Sequence, residues 1–248
     1  VAAVTPFVFG LIVVAGFFTG LIGFVTGLAS IISYPALLAA GLAPVSANVT
    51  NTVAMVAVGV GSSTNSFAAL VMDRRDVVKY GLCAAAGGLG GAILLLLAPA
   101  ESFERIVPFL IASASLALFA QPKLRALAGE RTFPRLYPIG IFLIAIYGGY
   151  FGAGAGVMFL ALMLVATSET IWRASLIKSL LTGIANAVAA VGFAFFGPVH
   201  WVAALAMAIG AFAGGWCGPP VVRVIPPTAL RIAVAIGGLG LAAWLLIK

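Results

Sequence analysis

Lys178 sits inside Ala174–Phe196, a run of almost wholly apolar residues, with Ser175, Ser179, Thr182 and Asn186 recurring around it every three or four positions. That spacing places these side chains on one face of a helix. A second stripe, Asn48, Asn51, Thr52, Met55, Gly59, Ser62 and Ser66, runs through Ala47–Met72. The two stripes superimpose when the sequence is slid by 127 places, which sets Asn51 over Lys178 and Thr52 over Ser179. An ammonium at the centre of a membrane helix costs about 2.5–3.5 kcal/mol, so it must reach an interface or meet a partner. Asp73, Asp76, Glu101, Glu104, Glu130 and Glu169 all fall in loops or at the ends of apolar runs. The chemistry expected of Lys178 is therefore attraction of an anion, with amides and hydroxyls donating hydrogen bonds to its oxygens.

The residues expected to contact such an anion are Asn48, Thr50, Asn51, Thr52, Ser175, Lys178, Ser179 and Asn186. Two plainer readings stand beside this one. Lys178 is close enough to Arg173 to snorkel toward the membrane surface, and the stripes could simply bond helices together, at about 0.6 kcal/mol per contact. Glycine clusters add a third source of donors. Gly23 and Gly27 in one long apolar run, and Gly152, Gly154 and Gly156 in another, are places where a helix can break and turn backbone N–H groups toward an anion. Tight helix packing through small residues is the competing account of the same glycines.

Enzyme chemistry finds little support. His200 is the only histidine, which excludes a His-Glu-x-x-His zinc helix, and no Gly-x-Ser-x-Gly elbow occurs. No catalytic residue, metal site or cofactor is expected. His200 reads as an interfacial residue, and Trp201, Trp172, Tyr80 and Tyr137 as an interfacial aromatic belt. Cys83 and Cys217, each in Gly/Ala-rich surroundings, read as small buried hydrophobes.

The elements that must position these groups follow from composition. Of 248 residues, 63% are hydrophobic and 8% charged, against roughly 25% charged in a soluble domain. Such a chain cannot cover a globule with water-facing side chains, and the expected class is an all-α polytopic membrane protein embedded in a lipid bilayer. The net charge of +7 does not signal nucleic acid, because no basic run exceeds Arg74-Arg75. Val1–Phe9 lacks a basic n-region and a cleavage site, so no signal peptide is expected there.

Hydropathy gives eight apolar stretches, but Val4–Ala43 and Leu136–Ala166 are too long for single crossings. Each carries a glycine cluster near its middle and is expected to be a Gly-broken hairpin. Phe18-Thr19-Gly20-Leu21-Ile22-Gly23 aligns with Tyr147-Gly148-Gly149-Tyr150-Phe151-Gly152, so the chain reads as a tandem repeat. Charge decides the count of segments. Eight simple crossings divide the basic residues outside the core eight against four, whereas ten segments put all but Arg105 and Lys248 on one side. The second arrangement fits the positive-inside rule better, with basic loops 73–79, 121–135 and 219–231 cytoplasmic. Five segments per half, an odd number, makes the halves inverted copies: a first repeat at 1–121, a basic linker at 122–135 and a second repeat at 136–248.

Gly20-Leu-Ile-Gly23 with Gly27 and Pro35, followed by Ala47-Asn-Val-Thr-Asn-Thr-Val-Ala54, resembles the first repeat of the sulfite exporter TauE/SafE family. Tyr147-Gly-Gly-Tyr-Phe-Gly-Ala-Gly-Ala-Gly156, Ser175-Leu-Ile-Lys-Ser179, Asn186, Gly197-Pro-Val-His-Trp201 and Gly210-Ala-Phe-Ala-Gly-Gly215 resemble the second. Val25 and Thr26 replace further glycines, and His200 stands where the family often has an acid before Trp. The resemblance implies a bacterial inner-membrane transporter of small, often sulfur-containing anions such as sulfite, sulfonates, sulfoacetate or thiosulfate. Alternating access around a site between the repeats is the expected mechanism. An anion channel and a non-transporting membrane subunit are the alternatives, while coupling to a proton or sodium gradient, direction of transport and oligomeric state stay open.

Overall fold

The computed structural model describes residues 4–27, 29–66, 74–128, 136–167, 171–221 and 227–247. The side chains of Ser62, Ser66, Arg74, Lys123, Arg125, Arg131, Arg135, Trp172, Arg223 and Arg231 lie outside the described residues, and with them most of the three basic loops. Among the described residues there are ten helices and no strand: α1 (Pro6–Thr26), α2 (Ser30–Ala39), α3 (Pro44–Ser66), α4 (Arg74–Leu97), α5 (Ala100–Ala128), α6 (Leu136–Tyr150), α7 (Ala155–Ala166), α8 (Ile171–Phe196), α9 (Trp201–Val221) and α10 (Pro227–Ile247). The helix α5 extends through residues 122–128, the first part of the basic linker.

Both long apolar stretches are divided. Thr5 starts the first helix by accepting a hydrogen bond from the Val8 amide at 3.3 Å, with Pro6 at its first position. It stops at Gly27, whose φ of 78° is left-handed and whose N–H reaches the Gly23 carbonyl at 2.9 Å. The second stretch stops after Tyr150 and restarts at Ala155, with Gly152 at φ 80° and Gly154 at φ 84°. The helices that follow the breaks are short. At 1.5 Å per residue the 10 residues of α2 and the 12 of α7 extend about 15–18 Å, roughly half a bilayer's hydrocarbon thickness.

The surface is apolar and the interior is where polarity collects. Phe7, Leu97, Phe195, Phe196 and Ile247 are all more than 70% exposed, while Asn48, Asn51, Thr50 and Lys178 are buried. Pro6–Gly23, Arg75–Leu97 and Arg173–Phe196 are each long and apolar enough to cross a membrane. An inside-out distribution on such helices is that of a multi-pass membrane protein.

Packing joins the two halves of the chain rather than separating them. The first helix lies against α9, as α6 lies against α4; α3 lies against α9, as α8 lies against α4; and α2 touches α10, as α7 touches α5. Direct contacts of α3 with α8 and of α5 with α10 complete the pattern. Glycines set the distances. A Cβ on Gly16, Gly20, Gly210 or Gly214 would run into the facing backbone across the α1–α9 contact, as one on Gly87, Gly91 or Gly149 would across α4–α6. Both readings of the glycine clusters thus apply, to different members: Gly20 and Gly149 pack helices, and Gly27, Gly152 and Gly154 break the chain.

Candidate anion site

One face of α8 borders a cavity between the two chain breaks. The wall includes Gly23, Gly27 and Ser30 from the first break, Gly152 and Gly156 from the second, Met55 and Gly59 from α3, and Lys178, Ser179, Thr182 and Asn186 from α8. Its volume is about 60 Å³, several times what a single water occupies, and therefore suited to an ion of a few heavy atoms. Lys178 is 2% exposed, so its ammonium does not snorkel to the surface. None of the described lining residues is acidic.

Two helices begin at this cavity, and neither is closed by a side chain. Ala29 precedes α2 and Gly154 precedes α7, and neither provides a side-chain cap hydrogen bond. The first N–H groups of any helix lack intrahelical acceptors and carry the positive end of its dipole. Ser30 at the start of α2 and Gly156 at the start of α7 both line the cavity. The breaks also touch: a Cβ on Gly27 would lie 2.6 Å from the Gly156 carbonyl carbon, and one on Gly156 would lie 2.8 Å from Gly27 Cα. Only two glycines allow the α2 and α7 starting points to meet this closely.

The expected contact residues divide into two groups. Lys178, Ser179, Asn186, Gly23, Gly27, Gly152 and Gly156 border the cavity. Asn48, Thr50, Asn51 and Thr52 of α3 are outside that wall and hydrogen-bond to other groups of the protein. Asn48 Nδ2 donates to the Tyr150 carbonyl at 2.9 Å, and Thr52 donates to the Asn48 carbonyl at 3.0 Å. Thr50 Oγ1 accepts from the His200 backbone N–H at 2.9 Å, and Ser46 donates to the Pro198 carbonyl at 2.8 Å, which ties the start of α3 to the α8–α9 turn. Asn51 is one layer behind the wall, donating from Nδ2 to Ser30 Oγ at 3.0 Å. Ser175 offers its carbonyl to the Ser179 hydroxyl at 2.9 Å, and Gly154 ends the second break.

Ser30 is a lining residue outside both polar stripes. Its signal in the sequence is its place three residues beyond a helix-breaking glycine, where the first turn of a new helix is expected. Thr182 belongs to the α8 stripe, and its buried Oγ1 has no hydrogen-bond partner among the described residues. His200 Nδ1 accepts from the Ala203 N–H at 3.3 Å, capping α9. Tyr137 differs from the aromatic-belt expectation: it is 4% exposed and packs edge-on against Tyr80, ring centroids 4.7 Å apart. Helix α4 covers it, which the local sequence could not reveal. Among the described residues no three His, Cys, Asp or Glu side chains gather into a metal-binding group.

Apolar helices around a polar, lysine-bearing cavity define a multi-pass membrane protein with an internal solute-sized site. The profile of the Sulfite exporter TauE/SafE family matches residues 8–245, and the chain belongs to that family. It is 28% identical over 231 residues to the probable membrane transporter protein ORF9 of Sinorhizobium sp, covering 90% of this chain and 88% of that one. It is 25% identical over 220 residues to the probable membrane transporter protein YfcA of Escherichia coli K12, covering 87% and 81%. A probable membrane transporter protein of Haemophilus influenzae is 23% identical over 224 residues, covering 89% and 88%. No solved structure matches the chain. Family and relatives alike place it among membrane transporters.

Proposed function

We propose that this protein is a secondary transporter, not an enzyme, that carries a small sulfur-containing anion of the sulfite, sulfonate, sulfoacetate or thiosulfate type across the bacterial inner membrane. The observation that carries this reading is the convergence of Lys178 with the starts of α2 and α7, neither of which has a side-chain cap, on a cavity with no acid among its described wall residues. A cation and two positive dipole ends favour an oxyanion, and the small volume favours one with few heavy atoms. The family description supplies the sulfur.

Alternating access is supported by the packing. Exchanging α1–α5 for α6–α10 carries α1–α9 onto α6–α4, α3–α9 onto α8–α4 and α1–α2 onto α6–α7, and leaves α3–α8 and α5–α10 in place. A five-element unit repeated in one chain crosses an odd number of times and is inverted with respect to its copy, the design in which one repeat rocks against the other. In this reading the basic loops 73–79, 121–135 and 219–231 face the cytoplasm.

Counterflow in proteoliposomes tests the proposal. Proteoliposomes loaded with unlabelled sulfite, thiosulfate or sulfoacetate should take up the matching labelled anion and saturate, whereas those loaded with a plain carboxylate should not. Lys178→Ala should reduce uptake about 30-fold or more, as removal of a buried charged partner does, while Lys178→Arg keeps part of it. Wild-type uptake by Lys178→Ala would overturn the site; single-channel conductance would replace the carrier with a channel.

A further inference from the structure

We propose that Ser30 is a hydrogen-bond donor to the bound anion, and that Asn51 is the residue that positions it. The proposal rests on the cavity being the anion site and concerns how that site reads its ligand.

A hydroxyl has one proton and two lone pairs, so where the proton goes decides what the group offers a ligand. Several hydroxyls near the cavity have committed theirs. Ser179 donates to the Ser175 carbonyl at 2.9 Å, Thr52 to the Asn48 carbonyl at 3.0 Å and Ser33 to the Ala29 carbonyl at 3.4 Å. Each is a bond to the carbonyl four residues back, available to a Ser or Thr inside a helix. Such a group presents only lone pairs to the cavity.

Ser30 is placed differently. It is the first residue of α2, just after the break at Gly27, where no preceding turn of the same helix supplies that carbonyl. It lines the cavity and is 6% exposed. Its oxygen accepts the Asn51 Nδ2 hydrogen at 3.0 Å. With that lone pair engaged, the proton remains for an acceptor in the cavity, beside the N–H groups that open the same helix. Asn51 itself is 1% exposed, and its Oδ1 has no hydrogen-bond partner among the described residues. The amide thus reaches the ligand only through Ser30. Its counterpart across the repeat, Lys178, borders the cavity directly. One half of the protein would meet the anion with a charge, the other with an oriented dipole.

The test is the KM and maximal rate of labelled thiosulfate and sulfite counterflow in proteoliposomes. Ser30→Ala should raise KM about tenfold, the scale of a lost hydrogen bond to a charged group, with the maximal rate nearly unchanged. Asn51→Ala should raise KM as well, and the Ser30→Ala/Asn51→Ala pair should be no worse than Ser30→Ala alone, as expected when one residue acts through the other. Asn51→Asp can only accept, so it should draw the Ser30 proton inward and bind more weakly than Asn51→Ala. Ser30→Thr, which keeps the hydroxyl, should stay within about twofold of wild type. If Ser30→Ala does not fold, Ser30→Cys, a weaker donor, should show the raised KM instead. A wild-type KM in the folded Ser30 variant, or additive effects in the pair, would overturn the proposal. Loss of transport in Lys178→Ala with an unchanged KM in Ser30→Ala defeats this inference alone; normal transport by Lys178→Ala defeats the site itself.

Discussion

At the first chain break the described backbone turns on a single left-handed residue, Gly27, whereas the second uses two, Gly152 and Gly154. The second is also fastened from several sides. Tyr147 Oη donates to the Ala153 carbonyl, with the Leu110 carbonyl of α5 also in reach at 3.4 Å, and Asn48 of α3 holds the Tyr150 carbonyl. Phe151 is 1% exposed and wedged edge-on between Tyr34 and Phe103, with centroids 5.5 and 5.9 Å away. At the first break the residue aligned with Tyr147 is Phe18. It has no hydroxyl, is 48% exposed and packs edge-on against its neighbour Phe17. The tie described there is the Asn51–Ser30 bond, which lies at the cavity itself. Among the described residues the two breaks therefore differ in fastening: the second is held by groups away from the cavity, the first by a group that borders it.

Substitutions at the breaks can undo or refine this contrast. Gly27→Ala should have the largest effect, because its φ of 78° disfavours any side chain and the new Cβ would meet Gly156 and Val157 backbone atoms at 2.6–2.7 Å. The combined cost of a left-handed alanine and overpacking is about 2–5 kcal/mol, read as a large fall in the melting temperature of detergent-solubilised protein. Gly152→Ala meets only the Gly148 carbonyl at 3.0 Å and should cost about 1–2 kcal/mol, chiefly for the backbone conformation. Should Gly152→Ala prove the more damaging, the fastening around the second break outweighs the close Gly27–Gly156 approach at the first. Tyr147→Phe removes one buried hydrogen bond and should cost about 1 kcal/mol, with faster amide hydrogen exchange confined to the 151–154 segment and α7 as the sharper signature. Phe18→Tyr should be the smallest, within about 0.5 kcal/mol in the same melting assay, since its ring is half exposed.

The sequence made parts of this site legible and hid others for identifiable reasons. The α8 stripe was readable because helical periodicity alone sets which residues share a face, and Lys178, Ser179 and Asn186 do border the cavity. The α3 stripe shares that periodicity, yet Asn48, the neighbouring Thr50 outside the stripe, and Asn51 bond to Tyr150, His200 and Ser30. Their partners lie 102, 150 and 21 residues away, respectively, and no local pattern encodes which members of a stripe face a void, as Met55 and Gly59 do, and which meet another part of the chain. Composition was enough for the membrane class, and the glycine clusters for the existence of the breaks. Which glycine turns the chain and which lets helices touch depends on the facing helix: Gly20 meets Ala211, while Gly27 meets Gly156.

The shortness of α2 and α7 has an electrical consequence. A helix of 10 or 12 residues that begins at the cavity leaves about 15–18 Å between that point and its far end, against a hydrocarbon layer of about 30 Å. With the far ends of α2 and α7 set at one membrane surface, a charge arriving at those N-termini from that side would have crossed roughly half of the insulating layer, and with it about half of the membrane potential. At ~100 mV this is about 1 kcal/mol for each unit of charge. In the transporter proposed above, the broken helices would act as a voltage divider, in which binding and release on each side sense separate fractions of the field.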